Sequence, residues 1–187
     1  NALNATAAIV VARNLGVSVD ACQGALNEFE GIARRFNIVG DLRVDSGKVL
    51  LIDDYGHHPT ELSATIAATR ASWPNRRLVV LFQPHRYTRT RDLFDDFAQV
   101  LSSVDALLMQ EVYSAGEMSI AGADSKSLCR AIRLRGQVEP VFIEDNSVLL
   151  EILPGLLSDG DILLTLGAGD IGSTSREIAE KFGVHNA

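Results

Sequence analysis

The sequence predicts an α/β fold in three layers: about six strands, mostly parallel with one antiparallel, and helices on both faces. Three observations point there. From residue 78 onward, short and almost wholly apolar runs alternate with stretches of helical length. Strands apolar along their whole length are what a sheet covered on both faces needs, and strand–helix alternation makes that sheet parallel. Earlier in the chain, Asp45-Ser46-Gly47 joins two extended runs in the manner of a hairpin, which supplies the antiparallel strand.

In order, residues 4–15 and 18–29 read as two short helices. Gly16 closes the first, and Ser18 or Asp20 could cap the second. The stretch Gly31-Ile32-Ala33-Arg34-Arg35-Phe36 reads as a joint, and a hinge is a fair expectation there. The hairpin follows, Phe36–Val44 with Lys48–Ile52. Further strands are expected at Leu78–Phe82, Ala106–Met109, Val141–Ile143 and Ile162–Leu166. Helices are expected near 59–72, 92–103, 124–134, 146–157 and 173–182.

Composition narrows the function. The chain has 187 residues, 47% of them hydrophobic, enough for one domain with a core and a small appendage. A net charge of −7 argues against a general nucleic-acid or anionic-membrane surface, so any anion site has to be a local patch. Cys22 and Cys129 stand far apart and read as buried thiols of a reducing compartment. No apolar run reaches the roughly 18 residues of a membrane span, and no signal peptide is expected. The chain opens at Asn1 without a Met and reads as the middle of something longer.

In open α/β sheets, ligands bind beyond the C-terminal ends of the strands. Two strand ends there are the richest in titratable groups. The first is Asp53-Asp54-Tyr55-Gly56-His57-His58-Pro59-Thr60-Glu61. Pro59 suits a first helical turn and Glu61 the dipole there. The plain alternative is a capped helix start with a solvated remainder, but capping needs one such residue and not five. No further His/Cys pair has zinc spacing. The second is Gln83-Pro84-His85-Arg86-Tyr87-Thr88-Arg89-Thr90-Arg91, three Arg and a His within an acidic chain. A guanidinium fork suits carboxylate or phosphate. Its plain alternative is a solvated charge run beside a helix start.

Three weaker features stay open. Gly167-Ala168-Gly169-Asp170-Ile171-Gly172 fits G-x-G-x-x-G after a strand, but the chain ends at Ala187 without the second strand and acid of a dinucleotide site. A tight turn bringing backbone close to a neighbouring site fits better. Arg34-Arg35 could be a linker charge pair or could reach a phosphate. Asn1 and Asn4 could be helix-start polar residues or could hydrogen-bond a ligand edge. No phosphate-binding G-x-x-x-x-G-K-[ST] occurs.

Six strings, in order along the chain, carry a family resemblance: residues 1–8, Gly31–Phe36, Asp53–Glu61, Phe82–Thr90, Glu111–Tyr113 with Ala115-Gly116-Glu117, and Gly167–Ile171. Together they resemble the C-terminal part of the Mur ligases, bacterial peptidoglycan enzymes, and most of all the members that add L-alanine. The resemblance implies a division at residue 33. Residues 1–33 would be the last helices of the central ATPase domain, and 34–187 a Rossmann-like domain that brings the amino acid. It implies an ATP- and Mg²⁺-dependent amide-forming ligase in the cytoplasm, whose other domains hold most of the nucleotide and metal. UDP-N-acetylmuramate and L-alanine would be joined through an acyl phosphate, and residues 1–187 alone would be inactive. By the same resemblance, Asn1 and Asn4 lie near adenine, Arg35 near the phosphates and Asp54 near the ribose. Tyr55, His57, His85, Arg86 and Arg89 surround the amino acid and muramoyl group, with His57, Arg86 and Arg89 in the chemistry. The rivals are a murein-recycling ligase adding a tripeptide, which shares His57-His58-Pro59-Thr60, a stand-alone dinucleotide-binding module, and a non-catalytic domain.

Overall fold

The structure is a computed structural model describing residues 2–29 and 31–185; Asn1, with its expected adenine contact, lies outside them. The chain forms two compact units, Asn1–Ile32 and Ala33–Ala187.

The first unit is a pair of helices, α1 (Ala2–Asn14) and α2 (Val19–Asn27). Gly16 takes a φ of 85° in the turn between them, a conformation open to a residue without Cβ. Ser18 caps α2, its Oγ accepting from the Ala21 N–H at 3.1 Å. Between the helices lies an apolar groove of about 580 Å³, lined by Asn4, Ala8, Ala12, Ala25 and Phe29 among others. Leu3, Val10, Val11 and Leu15 are exposed, so two helices alone leave much of their apolar surface uncovered.

The second unit is a seven-stranded sheet in the order β5-β4-β3-β6-β2-β1-β7. Its strands are β1 (Asn37–Val44), β2 (Gly47–Asp54), β3 (Leu78–Phe82), β4 (Ala106–Gln110), β5 (Pro140–Ile143), β6 (Ile162–Leu166) and β7 (Val184–His185). Strands β2 to β6 run parallel where they pair, while β1 is antiparallel to both β2 and β7. The six expected strands are present. The seventh is a two-residue addition at the edge, made where Gly183 at φ 67° turns the chain back beside β1.

Alternation along the strands feeds two cores. Leu78, Val80 and Phe82 of β3, with Ile162, Leu164 and Leu166 of β6, meet α3 (Pro59–Ser72), α5 (Phe94–Leu101) and α6 (Ser125–Leu134). Val79, Leu81 and Leu163 face the other way, toward α7 (Asn146–Leu156) and α8 (Ile171–Phe182). The helix expected over 92–103 is two: α4 (Tyr87–Asp92) and α5, broken at Leu93, whose φ of −120° and ψ of 25° lie outside the helical region. The helix after β3 therefore starts inside the arginine-rich segment. No described helix is long and apolar enough to cross a membrane.

Candidate active site at the C-terminal ends of the parallel strands

Loops following β2, β3, β4 and β6 meet at one rim. Asp53 and Asp54, expected in a loop, are the last residues of β2 and are buried. Asp53 Oδ2 accepts from Arg34 Nε at 3.0 Å, and its Oδ1 accepts from Thr165 Oγ1 at 2.7 Å. Asp54 takes one backbone N–H on each oxygen, Phe36 at 2.6 Å and Gly56 at 2.7 Å. With 6% exposure and both oxygens engaged, Asp54 shapes the turn after β2.

That turn is completed by a cap. The His58 Nδ1 accepts from the Thr60 N–H at 3.3 Å, Pro59 opens α3, and Glu61 Oε2 accepts from the backbone N–H of His57 at 3.0 Å and of His58 at 3.2 Å. Burial pulls the Glu61 pKa upward, but the His57 and His58 N–H bonds and the nearby His57 and Arg35 charges outweigh it and leave the value lowered. Capping is thus the task of His58 and Glu61, which frees Tyr55 and His57 to face the rim.

The two imidazoles there carry opposite tautomers when neutral. His57 Nδ1 lies 3.1 Å from the Tyr55 carbonyl and 3.5 Å from Glu61 Oε2, both acceptors, so Nδ1 holds the proton and Nε2 the lone pair. His85 Nδ1 lies 3.3 Å from Arg89 Nη1, a donor, so there Nδ1 is the acceptor. Burial lowers the His85 pKa, and the Arg89, His57 and Arg86 charges lower it further, which favours the neutral ring.

The rings form a row. Tyr55 meets His57 edge-on at 5.5 Å, His57 meets His85 at 5.8 Å, and His85 stacks on Tyr113 at 5.3 Å. Arg34 and Arg35 sit over the Tyr55 ring at 5.1 and 5.5 Å. Of this pair, Arg34 is inward and Arg35 exposed. Arg34 also donates to the Gly167 carbonyl at 2.6 Å, while its own carbonyl accepts from the Tyr55 N–H at 2.6 Å.

Beyond β3, Arg89 Nη1 donates to the His85 carbonyl at 2.8 Å, and Arg86 Nη1 donates to Glu117 Oε1 at 3.2 Å. Arg91 instead pairs with its neighbour Asp92 in solvent, as the plain reading of a charge run expects. Gln83, from the second cluster, and Tyr113, at the end of β4, join the rim, and so does Glu117, which the residue pattern alone did not assign to it. The Ala115-Gly116-Glu117 string was the available signal for the last.

The glycine motif after β6 is occupied by side chains. A Cβ on Gly169 would lie 2.7 Å from Tyr113 and collide with Gln83 Oε1, and one on Gly172 would lie 2.6 Å from the Arg34 guanidinium. Gly167, at φ 147°, runs against the Gln83 carbonyl. The Ile171 N–H at the start of α8 is taken by Gln83 Oε1 at 3.2 Å. These glycines admit Gln83, Tyr113 and Arg34 where a dinucleotide would need its pyrophosphate. Among the described residues, no group of three or more His, Cys, Asp or Glu is placed to hold a metal ion.

Residues 34–169 match the family described as Mur ligase, glutamate ligase domain. A UDP-N-acetylmuramate–L-alanine ligase of Methylococcus capsulatus is 56% identical over 183 residues, 98% of this chain and 39% of that protein. Among solved structures, a UDP-N-acetylmuramate–alanine ligase of Thermotoga maritima superposes with a TM-score of 0.76 at 30% identity, over 97% of this chain and 37% of that one. A murein peptide ligase of Psychrobacter arcticus shares the fold, with a TM-score of 0.65 at 23% identity over 98% of this chain and 37% of its own. The chain thus spans about 39% of the length of the curated relative it matches.

Proposed function

The chain belongs to the Mur ligase family, and on that premise we propose that it is the amino-acid-binding part of a ligase joining L-alanine to UDP-N-acetylmuramate. Mur ligases are ATP-dependent. In the proposed reaction ATP phosphorylates the muramoyl carboxylate, the alanine amine attacks the acyl phosphate, and amide, ADP and phosphate leave. The observation carrying this reading is the gathering of Tyr55, His57, His85, Arg86 and Arg89 at the ends of β2 and β3. The 56% identity to an alanine-adding ligase favours alanine over a tripeptide.

In this reading Arg86 and Arg89 receive the alanine carboxylate. Charge-assisted bonds of this kind contribute about 1.5–3 kcal/mol and hold the amine in line for attack. The His57 Nε2 lone pair is directed away from its Tyr55 and Glu61 partners and serves as acceptor for the proton the ammonium must lose. Arg35, exposed above Tyr55, is assigned to the nucleotide phosphates and Asn4 to adenine, as the family resemblance implies. Asp54 acts near the ribose through the turn it shapes. Among the described residues no group of three or more His, Cys, Asp or Glu is placed to hold a metal ion, and this reading assigns Mg²⁺ and the phosphate-binding loop to other domains of a longer, cytoplasmic ligase.

The test is kinetic, in the intact ligase. Arg86→Ala should raise the KM for alanine about 10- to 100-fold, the size of one charge-assisted pair, and lower kcat. Unchanged kinetics would remove Arg86 from the site. ATP-dependent alanine ligation by residues 1–187 alone would overturn the assignment of the phosphate-binding loop elsewhere.

A further inference from the structure

Arg86 is held by its backbone in a conformation an L-residue rarely adopts, with φ 75° and ψ 133°. Its N–H donates to the Tyr113 carbonyl at 2.8 Å, and its carbonyl accepts from the Thr90 N–H at 3.1 Å and from Thr90 Oγ1 at 2.9 Å. The side chain would still be free to sweep solvent, since nearly half of it is exposed. One group stops it. The turn Ala115-Gly116, with φ of 50° and 86°, brings Glu117 back over the start of α4. There its carboxylate accepts from the Thr88 N–H at 3.0 Å, from Thr88 Oγ1 at 2.7 Å and from Arg86 Nη1 at 3.2 Å.

We propose that Glu117 is a positioning residue for amino-acid binding: anchored by Thr88, it holds the Arg86 guanidinium in place for the incoming carboxylate. The inference rests on the reading of Arg86 given above. Two features separate an anchor from an internal competitor. Glu117 is fixed by two Thr88 bonds that do not involve Arg86, so a substrate need not dislodge it. Only one of the five guanidinium N–H groups is spent on Glu117, which leaves the fork able to grip a second carboxylate. Those Thr88 bonds, followed by the Arg86 bond, hold the Glu117 pKa down at about 2, so the anchor stays charged at any working pH.

The sign of the effect is diagnostic. If Glu117 merely cancelled charge, Glu117→Gln would leave Arg86 more attractive and lower the KM for the amino acid. If Glu117 orders Arg86, the same change raises that KM about tenfold, moves kcat far less and leaves the KM for ATP unchanged. Glu117→Asp should recover part of the loss, and Thr88→Val, which removes one anchoring bond, should give a smaller change in the same direction. A lowered or unchanged KM overturns the proposal. A second measurement needs no ligation: NMR relaxation of the Arg86 side-chain Nε–Hε in the 187-residue chain. It should report an ordered guanidinium in the wild type and a mobile one in Glu117→Gln, with backbone signals elsewhere unmoved. Equal mobility in both overturns the proposal even where folding or activity is lost. An ordered Arg86 in an enzyme whose KM for alanine ignores Arg86→Ala would instead sink the carboxylate reading and leave Glu117 as its anchor.

Discussion

In the sequence Arg34 and Arg35 could be a linker charge pair or could reach a phosphate, and no periodicity distinguishes one from the other. Only the fold separates them: a φ of 59° turns Arg34 inward to Asp53 and the Gly167 carbonyl, while Arg35 is left in solvent. Asp53 is 5% exposed, so removing its partner strands a buried charge. Arg34→Ala should cost about 3 kcal/mol in chemical denaturation. Gly172→Ala should reproduce part of that loss, because its Cβ would occupy the place of the Arg34 guanidinium. A neutral Gly172→Ala would show that Arg34 can move aside without cost. The glycines themselves were legible as points of close approach. What approaches them was not, since Gln83, Tyr113 and Arg34 come from three distant stretches of chain.

At the scale of elements, α3 was legible to the residue because Pro59 and Glu61 are local signals. The segment after β3 was not. Its three Arg and two Thr give no apolar period, and α4 exists because Thr90 bonds back to the Arg86 carbonyl and the loop after β4 clamps its start. The cap of α3 is separately testable. Glu61→Ala should cost about 1 kcal/mol and leave the His57 ring without its neighbouring carboxylate. Since the Glu61 pKa is lowered from its ordinary value of 4.5, its contribution is present in full above that value. It is lost as pH falls through the depressed folded value. The stability gap between wild type and Glu61→Ala should therefore be constant near pH 7 and close in the acid range. A gap that widened below pH 4.5 would contradict this.

At the scale of the molecule, strand–helix alternation was enough to foresee the layers, because buried parallel strands must be apolar throughout. Strand order was not foreseeable: β6, late in the chain, inserts between β3 and β2 and so brings the glycine motif against Gln83 and Arg34. Both apolar cores belong to residues beyond 32. A chain of residues 33–187 should thus unfold cooperatively, with a midpoint within a few degrees of the 187-residue chain. It should also be less prone to associate, since it lacks the exposed Leu3, Val10, Val11 and Leu15. A large drop in midpoint would mean that the helical pair is part of the same cooperative structure.

The attachment of Arg34 has a mechanical side. It is the second residue of the sheet unit, and it is tied by its side chain to Asp53 and Gly167 and by its carbonyl to Tyr55. A pull applied to the sheet unit at Arg34 would therefore not be borne by Arg34 alone. It would be shared by the very strand ends that hold the aromatic row, so it would be felt first where the chemistry is proposed to occur.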